Sequence, residues 1–164
     1  ESYSVRQRDY ANRMRERYVY TPQVIINGDE VVRATAKSRI ESASSTIAPL
    51  DDIADITLQS INPGQPATGT ITLSDTGKSS PNRASQIWLI GFDREHQRDV
   101  LSGENAGKRL VHANVVREMV NLGNWDGTNK QLSFAMNDVW NGGVAVLVQD
   151  GRGGPITAAS MIRF

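Results

Sequence analysis

The period of the apolar positions changes along the chain, and each change predicts an element. In residues 3–18 (YSVRQRDYANRMRERY), Tyr3, Tyr10, Met14 and Tyr18 recur at steps of four or seven, a helical stripe with Ser2 placed as N-cap. Arg6, Arg8, Arg13, Arg15 and Arg17 fall largely off that stripe, and Asp9 and Glu16 interrupt them, so they read as a solvated helix face. Val24, Ile25 and Ile26 then run without a polar break, as in a strand covered on both faces. Asn27-Gly28 tolerates positive φ at both positions and predicts a tight turn, with Val31 and Val32 in the returning strand. Ile40, Ala43 and Ile47 restore helical spacing over 35–48, and Pro49 stops that helix.

Beyond residue 51 the pattern becomes short β-branched and aromatic runs separated by Gly, Pro, Asn and Asp: DDIADITLQSI, ATGTITLSD, SQIWLIGFD, QLSFAM, VAVLVQD and PITAASMIRF. That texture predicts an antiparallel all-β sandwich or barrel. VVREMVNLG, 115–123, fits two periods. Val115, Val116, Met119 and Val120 fit a helix, whereas Val116, Val120 and Leu122 fit alternation with a polar break at Glu118; the neighbouring strands favour a strand. SDTGKSSPNR, 74–83, reads as a polar loop.

Composition narrows the function classes. Apolar residues make up 38% and charged residues 22% of the 164, which suits a globular protein. Lys plus Arg and Asp plus Glu number 18 each, so there is no global charge to draw nucleic acid or a membrane surface. No apolar stretch approaches the roughly 20 residues of a membrane helix, so no membrane insertion is expected. With no cysteine, the chain holds no disulfide, thiolate metal site or cysteine nucleophile.

Helix, Thr-Pro, apolar strand, Asn-Gly turn, strand and helix is also the order of the C-terminal half of a thioredoxin fold. Together with SGENAGKRLVHANVVREMVNLGNWDG (102–127), the segment RYVYTPQVIINGDE (17–30) resembles a family of exported, thioredoxin-like proteins of Gram-negative bacteria, a domain of unknown function. The resemblance implies an α+β chain: the C-terminal half of a thioredoxin-like fold (1–49), then an antiparallel all-β sandwich-like domain (51–164). It further implies a cis-proline loop at Thr21 and Pro22, and a periplasmic or secreted location. An ordinary trans-proline opening a strand would give the same local pattern. Members of that family carry a Cys-x-x-Cys segment upstream of the Thr-Pro, and these 164 residues contain none. Thiol–disulfide exchange needs the thiolate, so this chain alone would be a scaffold for a site completed elsewhere. The expected partners are therefore the missing upstream thioredoxin segment or another protein. The rival reading is a non-enzymatic binding or assembly module of the cell envelope.

The remaining motifs favour structure over chemistry. Gly103–Gly107 lacks the Lys-Ser/Thr ending of a phosphate loop and reads as a bulged β connection. GRGG, 151–154, could nest an anion beside Arg152, but a hairpin turn explains it as well. His96 and His112 sit on separate segments without helical spacing, so no metal site or cofactor is expected. Asp51, Asp52 and Asp55 suit a solvated linker, Asp126-Gly127 a turn, and Trp88, Trp125 and Trp140 packing. Glu104, Asn105, His112 and Asn114 are predicted to form a partly buried hydrogen-bond cluster joining their loop to neighbouring strands. A ligand pocket with His112 as proton carrier is the alternative.

Overall fold

The computed structural model describes residues 3–33, 37–46, 50, 54–60, 65–74, 85–103 and 106–164. Ser2, Ile47, Pro49, Asp51, Asp52, Glu104, Asn105 and most of the 74–83 loop lie outside the described residues.

Helix α1 (Tyr3–Arg13) turns Tyr10 and Ala11 inward. It ends earlier than its apolar stripe does. Arg15 takes a left-handed conformation (φ 56°). Glu16 N–H then donates to Ala11 O (2.9 Å) and Arg15 N–H to Asn12 O (3.3 Å), a Schellman closure made without glycine. Strands β1 (Gln23–Ile26) and β2 (Glu30–Arg33) form an antiparallel ribbon, pairing Val24 with Val32 and Ile25 with Val31. Its turn is the one Asn-Gly predicts: Asn27 and Gly28 have φ of 48° and 74°, and Asp29 N–H bonds back to Ile26 O at 3.1 Å. Helix α2 (Lys37–Thr46) follows and buries Ala43.

The remaining regular elements among the described residues are strands. β3 (Ala54–Ser60), β4 (Thr68–Leu73) and β7 (Lys130–Ala135) form one sheet in the order β3-β4-β7. β5 (Ser85–Asp99), β6 (Arg109–Trp125), β8 (Gly143–Asp150) and β9 (Ile156–Arg163) form a second in the order β6-β5-β8-β9. Every ladder is antiparallel. The molecule is thus β-rich with an α+β front, and each sheet supplies one inner face to a shared core. Ile71, Leu73, Phe134 and Met136 come from the first sheet's side; Ile87, Leu89, Val144, Val146 and Val148 come from the second. Register explains the selection. Ile87 pairs with Val148 and Leu89 with Val146, so alternate residues of β5 and β8 share the inner face.

The ambiguous 115–123 segment is strand, part of β6, with Val120 opposite Leu89. Its polar break is satisfied in place. Glu118 accepts from the Trp140 indole N–H (2.9 Å) and the Asn137 backbone N–H (3.1 Å), and also from the Asn137 side-chain amide. Trp140 reaches that position across Gly91, where an added Cβ would collide with the indole.

β5 and β6 run further than the sequence suggests. The β5–β8 ladder ends at Phe92–Gly143, while β5 and β6 stay paired out to Asp99–Arg109. Residues 94–99 and 109–114 therefore form a two-stranded arm whose side chains are all exposed. Gly107 N–H donates to Val100 O (2.8 Å) and Ala106 N–H to Gly103 O (3.0 Å) where the arm turns.

Candidate functional site

The front segment meets the β-sandwich at a junction built around the β8–β9 hairpin. Gln149, fully buried at the end of β8, donates from Nε2 to Tyr10 Oη (2.9 Å) and to Gly154 O (2.7 Å). Tyr10 Oη also accepts from Arg6 Nη2 at 2.9 Å. The Arg6 guanidinium lies 5.2 Å from the Tyr10 ring centroid and 5.3 Å from that of Trp88, within cation–π range of both. Arg152, at the hairpin tip, pairs with Asp9 of α1 at 3.2 Å. Ile156 N–H donates to Asn27 O at 2.7 Å, stitching the β1–β2 turn to β9.

Two glycines make these approaches possible. A Cβ on Gly28 would stand 2.5 Å from Gly154 O, and one on Gly153 would stand 2.5 Å from the Asp9 carbonyl carbon. Both glycines also have positive φ. GRGG is thus a hairpin turn gripped between α1 and the β1–β2 turn, and Arg152 is engaged by Asp9. Through these contacts the front segment is seated on the sandwich. Three buried polar atoms here, Trp88 Nε1, Gln149 Oε1 and Asp150 Oδ1, have no hydrogen-bond partner among the described residues.

The Thr-Pro loop lies beside this junction. Thr21 and Pro22 are exposed, and the peptide bond between them is cis. Gln7 Nε2 donates to Tyr20 O (3.3 Å), tying the loop to α1. Thr21 opens on a cleft of about 270 Å³, lined also by Tyr3, Arg6, Gln7, Tyr10, Gln23 and Ile25. A larger groove of about 550 Å³ runs between the 16–20 segment, β2 and α2, lined by Tyr18, Tyr20, Glu30, Val31 and Arg39 among others. Tyr18 and Tyr20 meet edge-on there, with centroids 6.3 Å apart. Among the described residues no three His, Cys, Asp or Glu side chains converge as metal ligands. What these walls offer is aromatic and amide surface suited to binding and positioning.

Of the four-residue cluster expected around 104–114, Glu104 and Asn105 lie outside the described residues. His112 and Asn114 are both exposed on the arm. Asn114 sits at φ 53° and its Oδ1 accepts from Arg163 Nη1 at 2.9 Å, while His112 stands opposite His96 in the β5–β6 ladder. The physical reason is the arm itself. It projects past the sheet, and among the described residues no neighbouring layer covers those side chains. Asp126 is a turn builder: Oδ1 accepts from Thr128 Oγ1 (2.7 Å) and N–H (3.1 Å). The Thr128 hydroxyl is the larger cause, and these bonds hold the Asp126 carboxyl below the usual carboxylate range.

The junction residues Gln149, Tyr10 and Arg6 were not singled out as a unit by sequence. Gln149 and Tyr10 lie 139 residues apart, and a glutamine ending a strand carries no distinguishing pattern.

Comparison with known proteins places these features in a wider setting. A family described as "Protein of unknown function (DUF1223)" matches residues 1–149. No curated protein matches the chain. Among solved structures, the X-ray crystal structure of a protein from Agrobacterium tumefaciens is similar, with a TM-score of 0.68 at 23% identity. The likeness covers 98% of this chain and 69% of that one, and at this identity it speaks for the fold alone.

Proposed function

This chain belongs to the DUF1223 family, and from that premise we propose that it is the C-terminal portion of an exported, thioredoxin-like protein, a scaffold for a thiol–disulfide site whose cysteines lie outside these 164 residues. The observation that carries this reading is the β1–β2 ribbon. Its strands pair only with each other among the described residues. All four residues of β1, including Val24, Ile25 and Ile26, are only half-buried. An apolar strand with an open edge is a docking template and a liability when left uncovered. Further chain pairing along that edge would bury it and bring new residues to the Thr21–Pro22 loop and its cleft. The similar Agrobacterium chain extends beyond the matched 69%, which suits a longer parent protein.

The test uses the parent protein and proximity. With Thr21→Cys introduced, the new thiol should form a disulfide with the nearer cysteine of a Cys-x-x-Cys pair under mild oxidation. A parent protein without such a pair, or one in which that cross-link does not form, would end the proposal.

A second reading, a non-enzymatic binding or assembly module of the cell envelope, is favoured by the arm. It carries Leu101, 92% exposed, and Val111, 57% exposed, away from the body of the protein. Capture of a periplasmic partner by the intact chain, lost when 97–111 is replaced by a short turn, would support it. Capture that survives the replacement would remove the arm from consideration.

A further inference from the structure

The chain has two histidines, 16 positions apart in sequence, and the fold sets them directly opposite each other. His96 of β5 and His112 of β6 are register partners in the antiparallel ladder of the arm. Directly paired residues project from the same face, with Cβ atoms about 4.5–5.5 Å apart. Both imidazoles are exposed, so neither is engaged in a core. Two imidazoles at that separation can converge on one ion at metal–nitrogen distances of about 2.0–2.1 Å.

We propose that His96 and His112 form a cross-strand site for a divalent transition-metal ion of the imidazole-binding class, zinc, nickel or copper. The ladder fixes the two backbones, so binding orders only side-chain torsions. No third His, Cys, Asp or Glu ligand converges there among the described residues, so water or a second molecule completes the coordination shell. The ion would clasp the two strands of the arm at a point where, among the described residues, no other sheet layer supports them.

The surroundings limit the affinity. Arg94 and Arg98 flank His96 two positions away on β5, and a cation nearby opposes a second one. Arg94 is drawn aside, donating to the Phe164 carbonyl. On β6, Leu110 and Asn114 flank His112; Asn114 is held by Arg163, whose charge stands at the base of the arm. Asp99, close to His112 around a groove of about 500 Å³, is itself paired with Arg109 at 2.9 Å. The ligand form is neutral imidazole, so protons compete with the metal and binding weakens on acidification.

The absence of cysteine and of any other histidine makes the experiment clean. The whole chain is titrated with zinc chloride and, separately, nickel chloride, followed by calorimetry and by NMR of the imidazole protons. The expected result is saturation at one ion per chain, with paramagnetic broadening by nickel centred on His96 and His112. Either His96→Gln or His112→Gln should weaken binding by about tenfold or more, and the melting temperature should rise with metal only in the unsubstituted protein. Both positions are exposed, so the variants retain the fold, which circular dichroism verifies. Absence of saturable binding overturns the proposal, as does binding whose strength is unchanged in both single variants.

Discussion

At the scale of single residues, the junction turns on a few atoms whose removal can be measured. Tyr10 Oη receives hydrogen bonds from Gln149 Nε2 and Arg6 Nη2 in a largely buried setting. Deleting that oxygen leaves a buried amide with one fewer partner, a loss of about 1–2 kcal/mol. Tyr10→Phe should therefore lower stability in chemical denaturation by about that amount, and by clearly less in a Gln149→Leu background. Equal losses in the two backgrounds would show that the bond is not energetically coupled. Asp126 gives a pH-dependent test. Its carboxyl is held below the usual range chiefly by the Thr128 hydroxyl. A depressed folded-state value means that the contribution is complete above the unfolded-state value and is lost as pH falls through the folded one. Asp126→Asn should thus melt lower than the parent chain near neutrality, and the two melting temperatures should converge below the carboxylate range.

At the scale of elements, the end of α1 and the turn between β1 and β2 make opposite uses of the left-handed region. Arg15 occupies it at a helix C-terminus, where a side chain costs about 1–2 kcal/mol and glycine is the usual occupant. Arg15→Gly should raise the melting temperature, with a gain of about 1 kcal/mol. Gly28 occupies the same region where glycine is required twice over: by its φ of 74° and by the 2.5 Å that an added Cβ would leave to Gly154 O. Gly28→Ala should cost more than about 2 kcal/mol, because the obstacle is backbone and cannot rotate away. If thermal unfolding leaves Gly28→Ala as stable as the parent, the β1–β2 turn is not seated on the β8–β9 hairpin.

At the scale of the whole molecule, the buried apolar cluster of the described residues runs from Ala67 to Ala158. Each fully buried Val, Leu or Ile there contributes about 1.5–3 kcal/mol on transfer from water. The front segment buries few large side chains and depends on the sandwich for its seat. Residues 51–164 expressed alone should retain a cooperative thermal transition, at a lower temperature because Trp88 and Gln149 lose their cover. Residues 1–49 alone should show no cooperative transition by circular dichroism. A cooperative melt of the isolated 1–49 segment would mean that its stability is its own.

What the sequence determined by itself follows from local period and turn chemistry. The Val24–Ile26 run, the Asn27-Gly28 turn and the later β-branched segments predict strands because short-range alternation and positive-φ preference act within a few residues. Even the doubtful 115–123 segment could be assigned from its neighbours. Four things only the tertiary structure decided. The arm escaped notice because 94–99 is polar on both faces, and a strand without an apolar side leaves no period to detect. The early end of α1 escaped because Arg15, not a glycine, turns the chain. The seat of the front segment and the pairing of His96 with His112 depend on which strands become neighbours. That is fixed by burying Ile87, Leu89, Val146 and Val148 between two sheets, a global packing condition to which neither histidine, nor Gln149, nor Tyr10 gives any local sign.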